Sequence, residues 1–368
     1  MRIAQVAPMF EAVPPQHYGG TERVVSYLTE ELVRRGHDVT LFASGDSRTR
    51  ARLVPTTETA LRKRFSLKEM RELAFPLHLG MIGDVLQHAE DFDIIHCHVD
   101  YFPWAFEQFV RTPIVTTLHG RLDLDYLPPL IRRFPQASLI SLSHHQRSPL
   151  APYRPHWVGT VYNGIAVEQF PFGAEPGDYF LFLGRIAPEK RADWAVEIAK
   201  RSGIKLKVAA KVDPYDQEYF DREIKHLFDD PLVEYLGEVD EQAKRELLAG
   251  AYGLMFPIDW PEPFGMVQIE ALACGTPVLA MNRGSVPEVL RHGVSALIGN
   301  SVDELVALAP RLGDLDRRAC RREAERRFSS RAMAEGYEQV YRRVIEERKR
   351  EDVAITLGQK PGRVPMTA

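Results

Sequence analysis

Short apolar runs alternate with amphipathic stretches from one end of the chain to the other. Ile3–Ala7, 39–44 (VTLFAS), 93–97 (DIIHC), 113–118 (PIVTTL) and 138–143 (SLISLS) have the length and apolarity of buried strands. Between the first two, Val24, Val25, Leu28, Leu32 and Val33 recur along one helical face, with Thr21 placed to cap that helix and Gly36 to end it. The pattern restarts with strands at 179–185, 205–210, 233–237, 253–257 and 276–280, and with helices from Lys190, near 216–228 and near 241–250. Such alternation predicts an α/β protein whose parallel sheets carry helices on their faces. A turn-rich, aperiodic stretch from Tyr162 to Gly177 separates the two series. Two Rossmann-like domains are therefore expected, 1–163 and 164–332, facing across a cleft lined by strand C-termini. Residues 46–80 read as less regular, and 351–368 as a flexible tail.

Within that frame one stretch concentrates chemistry, WPEPFGMVQIEALACGTPVLA at 260–280. Pro261 and Pro263 hold a loop extended, so a helix starts near Phe264–Gly265 and ends at Cys274–Gly275. Val267, Ile269, Leu272 and Ala273 leave it almost no polar face. Glu270, read as about two turns inside, is thus a buried carboxylate that needs a partner. Glu262 lies in the loop at the helix N-terminus, where free N–H groups and the helix dipole favour an anionic ligand.

Arg185 follows a strand and Lys190 comes five residues later, a planar fork and a mobile point charge suited to a diphosphate. An exposed salt-bridged pair is the competing reading. Gly19-Gly20 makes a turn between strand and helix but not the GxGxxG dinucleotide fingerprint. His119 ends a strand, where open α/β sheets place active-site groups, although a satisfied core histidine has the same pattern. His96, Cys97, His98 and Asp100 suggest a metal site, yet along a strand the two histidines face one way and Cys97 the other. No metal and no resident cofactor are expected.

The segment Glu262-PFGMVQI-Glu270, followed by ALACGTPV, resembles the retaining glycosyltransferases of family 4, which have the GT-B fold. The resemblance implies that Glu270 grips the ribose of a nucleotide sugar, while Glu262 and the backbone of Phe264, Gly265, Met266 and Val267 face the donor sugar. It further implies that Gly19 and Gly20 approach the donor phosphates, that His119 lies beside the sugar, that Arg185 and Lys190 clamp the diphosphate, and that Val239 meets the base. Glu262, His119, Arg185 and Lys190 are the catalytic candidates. The segment GYEQVYRRVIEE resembles a terminal helix, about 333–350, that crosses back onto the first domain, and the resemblance implies that domain 1–163 binds the acceptor and domain 164–332 the nucleotide sugar. One departure is KVDPY at 211–215, where a glycine-rich turn is usual.

The implied reaction moves a hexose from a UDP-glucose-type or GDP-mannose-type donor to a glycan, lipid-linked or small-molecule acceptor, without metal and by front-face displacement. The rivals are a sugar-nucleotide epimerase of the same fold, a glycoside hydrolase using Glu262 and Glu270, and a non-catalytic sensor.

Composition narrows the setting. At 368 residues two domains are the natural expectation, and 45% apolar with 27% charged residues describes a globular chain. A net charge of −4 lacks the basic footprint of a nucleic-acid binder. Three scattered cysteines do not make a disulfide framework, and neither a signal peptide nor a bilayer-length apolar run is evident, so the cytoplasm is expected. Residues 48–72 are rich in Arg and Lys, which admits either an anionic acceptor, a peripheral membrane contact or a solvated face.

Overall fold

The computed structural model describes residues 1–16 and 19–356, with side chains as far as 353. His17 and Tyr18, and 357–368 of the expected tail, lie outside the described residues.

Seven strands, β1 (Arg2–Val6), β2 (Asp38–Ser44), β3 (Arg52–Thr57), β4 (Ile94–Cys97), β5 (Ile114–Thr117), β6 (Leu139–Ser141) and β7 (Trp157–Thr160), form one sheet in the order 3-2-1-4-5-6-7. Six more, β8 (Tyr179–Ile186), β9 (Lys205–Val212), β10 (Val233–Gly237), β11 (Gly253–Phe256), β12 (Val278–Met281) and β13 (Ala296–Gly299), form a second in the order 10-9-8-11-12-13. The pairings in both sheets are parallel. Each sheet reverses its direction of growth beside its first strand, at β1/β4 and at β8/β11. Ligands of open α/β sheets bind beyond the strand ends at such switch points.

The buried strands match the apolar runs, while β3, β7 and β13 are additions. All three are edge strands; β3 and β7 are covered less completely and need less apolar sequence, and β3 even contains Pro55, whereas β13 is four residues long and buried. The helix Leu67–Gln87 runs through the region read as irregular, despite Pro76. It is started by a capping box in which Ser66 accepts from the Glu69 N–H at 3.3 Å and Glu69 accepts from the Ser66 N–H at 2.9 Å. Thr21 does not cap the first helix (Gly20–Arg34); Gly19 holds the N-cap position and no side chain bonds there. The helix expected near 216–228 is instead three short pieces, Gln217–Tyr219, Phe220–Ile224 and Lys225–Asp229.

The last helix, Ser330–Thr356, returns to the first sheet, burying Met333, Tyr337, Val340, Tyr341 and Val344 against Ile3, Leu28, Ile94 and Val115. It runs past the point where a tail was expected, because its final turns are solvated and rely on charge pairs such as Arg348–Glu351 at 3.4 Å, which leave no apolar period. Glu338 fastens it to the first helix region. Its side chain, 5% exposed, takes Arg35 at 2.6 Å, His37 at 2.9 Å and Arg342 at 2.8 Å. The Arg35 bond, and then those of His37 and Arg342, hold the carboxyl at about 2 against the opposing effect of burial.

A carboxyl depressed in the folded state stabilises the fold above its unfolded pKa, and that stabilisation is lost as pH falls through the folded value. Glu338→Gln should therefore cost ~1–3 kcal/mol at neutral pH, as for other hydrogen bonds to charged groups. The difference from the parent should shrink between about pH 4.5 and about pH 2. Denaturant titrations of both proteins across that window check this, and a pH-independent difference refutes the assignment.

Candidate functional site

The two switch points face each other across a cavity of about 650 Å³. The first domain brings Gly19, Gly20 and His119 to it, and the second brings Arg185, Lys190, Val239 and Glu262. Phe264, Gly265, Met266, Val267 and Glu270 complete the set, so every residue put forward for the donor site or catalysis lines this one space, while His96 and Cys97 of the metal candidates do not. A Cβ on Gly19 would sit 2.7 Å from Pro15, whereas one on Gly20 would meet nothing within 4 Å. The first glycine is thus required by packing, and the second keeps backbone open toward the cavity.

The loop after β11 is fixed from several sides. Gly284, at φ +56, presses so closely on the Glu262 backbone that a Cβ there would lie 2.4 Å from its nitrogen. Ser285 N–H donates to the Glu262 carbonyl at 3.0 Å, and Ser143, from the first domain, donates to the Pro263 carbonyl at 2.7 Å. The site helix, Met266–Ala273, then starts at Gly265 in a left-handed conformation with no side-chain cap and no acidic residue in its first turn. Its N-terminal amides and dipole accordingly suit an anionic or hydroxyl-rich ligand. Because that helix starts at Met266, Glu270 is five residues in, nearer one turn than two.

The carboxylates and cations are paired. Lys190 Nζ donates to Glu262 Oε2 at 2.5 Å and lies 4.7 Å from the centre of the Trp260 ring, while Trp260 Nε1 donates to the same oxygen at 3.1 Å. Lys190 belongs to a one-turn segment, Pro188–Lys190, ahead of the helix Ala192–Ser202 rather than to its start. Arg185, within the end of β8, donates to Asp216 at 2.9 Å and Glu189 at 3.2 Å. These are ion pairs in a cleft wall, as in the salt-bridge reading, and both cations also line the cavity.

Glu270, 4% exposed, accepts from Lys244 Nζ at 2.8 Å. Lys244 also lies 3.0 Å from Glu241, which in turn meets Arg23 of the first helix at 3.0 Å. Burial works against the Lys244 charge, yet Glu270 and Glu241 together raise its pKa above the ordinary lysine value. Sequence reading demanded a partner for Glu270 but had no means of naming Lys244, which sits on a neighbouring helix with no spacing relation to it. Asp216, 31 residues from Arg185, was missed for the same reason, whereas Glu189 and Trp260 lie within four residues of the groups they bind and were within reach of the local sequence.

His119 ends a hydrogen-bonded series that begins on the returning helix. His119 Nε2 lies 2.8 Å from His98 Nδ1, and His98 Nε2 lies 2.8 Å from Gln5 Oε1. Gln5 Nε2 donates to the Tyr341 hydroxyl at 3.1 Å, and that hydroxyl lies 2.7 Å from His96 Nδ1. The Gln5 carbonyl oxygen only accepts, so His98 carries its proton on Nε2 and accepts at Nδ1. His119 must then donate from Nε2, which leaves its Nδ1 unprotonated. Burial pushes His119 down to about 4 and His98 well below its ordinary value, so both rings are neutral at pH 7. His96 completes the series through Thr117, at 2.7 Å from its Nε2. The two histidines that suggested a metal are engaged with each other's neighbours in this way, and Cys97 faces the opposite, apolar side with Met81 and Ile82.

Much of the charge in the basic stretch 48–72 is answered locally: Arg50 meets Glu30 at 2.7 Å, Arg62 meets Glu11 at 3.0 Å and Lys63 meets Asp46 at 2.9 Å. Among the described residues no helix is long and apolar enough to cross a membrane.

Two family models match the chain, Glycosyltransferase Family 4 over residues 18–169 and Glycosyl transferases group 1 over residues 168–327. The phosphatidyl-myo-inositol mannosyltransferase of Mycobacterium leprae is 27% identical over 347 residues, covering 84% of this chain and 87% of its own. The N-acetyl-alpha-D-glucosaminyl L-malate synthase of Bacillus anthracis is 27% identical over 312 residues, covering 75% and 79%. Among solved structures, Anabaena HepE in complex with UDP-glucose superposes with a TM-score of 0.68 at 16% identity, covering 95% of this chain and all of that one. The matched models abut at the junction of the two facing parallel sheets, and with that GT-B architecture the chain belongs to the family 4 glycosyltransferases.

Proposed function

We propose that this enzyme is a retaining hexosyltransferase that uses a nucleoside-diphosphate hexose, of the UDP-glucose or GDP-mannose type, without a metal or a resident cofactor. The observation that carries the reading is the convergence of Lys190–Glu262 and Lys244–Glu270 on one cavity at facing switch points. The complex of HepE with UDP-glucose supports a nucleotide-sugar donor.

In this reading the diphosphate lies between Arg185, Lys190 and the Gly20 amide, whose positive charge and dipole stabilise the negative charge growing on the leaving group. Glu270, paired with Lys244, accepts hydrogen bonds from the ribose hydroxyls. The unprotonated Nδ1 of His119 accepts from a hydroxyl of the sugar, and Val239 meets the base. Glu262 is bound by Lys190 and Trp260, which suits it to position the sugar and the clamp lysine and makes it a poor covalent nucleophile. Front-face displacement, with a leaving-phosphate oxygen taking the acceptor proton, needs no further protein base.

Three outcomes test this. Arg185→Ala and Lys190→Ala should each reduce turnover by ~100-fold or more, the scale for removing one group that stabilises transition-state charge. Steady-state kinetics decide it, and full activity in both variants removes the diphosphate assignment.

Transfer should survive EDTA. Loss on chelation with recovery in magnesium or manganese would contradict the cationic clamp.

Glu270→Gln should weaken binding of the bare nucleoside diphosphate, whereas Glu262→Gln should leave it nearly intact and depress the chemical step. Calorimetric titration of the nucleotide into both variants distinguishes the roles, and equal loss in the two overturns them.

A further inference from the structure

The loop that leaves β9 carries the KVDPY stretch, so side chains stand where a glycine-rich turn would have none. Asp216, the residue after that stretch and the N-cap of Gln217–Tyr219, accepts from Arg185 Nη1 at 2.9 Å. Glu189 accepts from Nη2 of the same guanidinium at 3.2 Å. The two carboxylates use different nitrogens, so together they set the plane of the fork. They also leave the rest of its five N–H groups for a ligand in the cavity that Arg185 lines. The loop itself is braced at Asp213, whose carbonyl accepts from the Asp216 N–H at 2.8 Å and whose Oδ1 accepts from the Tyr215 N–H at 3.3 Å.

One residue before Asp216, Tyr215 meets the other domain. Arg71, on the helix Leu67–Gln87, donates to the Tyr215 hydroxyl at 3.1 Å, and its guanidinium carbon lies 5.3 Å from the centre of the Tyr215 ring. Tyr215 is 60% exposed, so core packing does not account for its place. The helix that brings Arg71 is fixed in the first domain: Met81, Ile82 and Val85 pack in its core, and His78 Nε2 accepts from the Met9 N–H at 3.1 Å. Other cross-domain bonds, Arg23 with Glu241 and Ser143 with the Pro263 carbonyl, reach the ribose end and the Glu262 loop. The Arg71 contact reaches the loop that holds Arg185.

We propose that Asp216 is a positioning residue for Arg185 and that the Arg71–Tyr215 contact seats its loop from the opposite domain, a refinement that rests on the diphosphate reading of Arg185 above. The guanidinium then presents its remaining N–H groups to the diphosphate at one angle, and it keeps that angle while the first domain holds Arg71 against Tyr215. A fork fixed before the ligand arrives removes the cost of ordering a long side chain on binding.

Calorimetry on the full chain tests this, with UDP and GDP as probes and the one that the parent binds more tightly carried through. Arg185→Ala should raise the nucleotide Kd about tenfold or more, the scale of losing hydrogen bonds to a charged group. Asp216→Ala should raise it about tenfold, and Asp216→Asn, which keeps an oxygen for Arg185, should recover most of that loss. The double variant Arg185→Ala/Asp216→Ala should bind no worse than Arg185→Ala alone, because a positioning residue has no effect once the group it positions is gone. Arg71→Ala and Tyr215→Ala should each raise the Kd about threefold, the scale of an exposed cation–π contact, and should add nothing in the Asp216→Ala background. If Asp216→Ala does not fold, Asp216→Ser, which suits the N-cap position, takes its place in both cycles. Losses that multiply in the Arg185/Asp216 double variant overturn the positioning role. A Kd unmoved by Arg71→Ala and Tyr215→Ala, or moved equally in the Asp216→Ala background, overturns the cross-domain seat. A parent that binds neither nucleotide, or an Arg185→Ala variant that binds like the parent, defeats the diphosphate reading instead, which tells the two failures apart.

Discussion

A carboxylate inside an apolar helix persists only with a cation at hand, because desolvating it alone costs more than a fold can spare. Glu270 and Lys244, 2.8 Å apart, meet that condition, and much of the site depends on the result. Lys244 is itself buried and would be unfavourable without Glu270 and Glu241. Glu241 then reaches Arg23, so the sequence of alternating charges runs from the core of the second domain to the first helix of the other. Removing Lys244 takes from buried Glu270 the cation it accepts from and breaks the series that leads to Arg23, which ties the ribose end of the proposed donor site to the relative placement of the two domains.

The backbone around those charges is held by a different device. Extended prolines, a left-handed Gly265 and the close approach allowed by Gly284 fix the Glu262 loop without needing any ligand. Ser143 adds a bond from the other domain to the same loop. A preformed loop of this sort lowers the ordering cost of binding, so interactions with the donor are available for the reaction itself. The pairing of Lys190 with Glu262 serves the same end, since a lysine held at one place does not have to be ordered when a diphosphate arrives.

Features set by local covalent geometry were legible in the sequence, and features set by distant partners were not. The Pro261–Gly275 segment could be read because φ restriction, glycine and an uninterrupted apolar helix act within a few residues. The same holds for the alternation that predicts two parallel sheets. Glu270's need for a partner was legible, but Lys244 was not, since no sequence spacing relates two helices that meet only in the fold. The edge strands β3 and β7 escaped because they lack a full apolar run, and Leu67–Gln87 escaped because Pro76 reads as a breaker. The Thr21 cap failed because Gly19, packed against Pro15, already occupies the N-cap position.

The histidine series shows how a distant element acts on the cleft without touching it. Tyr341 lies on the returning helix, yet its hydroxyl receives the Gln5 amide, and so orients the Gln5 carbonyl toward His98. That carbonyl decides which His98 nitrogen carries hydrogen, and His98 decides the same for His119. Each step is a choice between donor and acceptor at a buried ring, where the wrong choice would leave a polar atom unsatisfied. The crossing of the last helix onto the first sheet therefore does more than fasten the chain's end. It supplies the hydroxyl from which the protonation pattern of the cleft histidine is propagated, and it does so from residues 222 positions later in the chain than His119, the difference between 341 and 119.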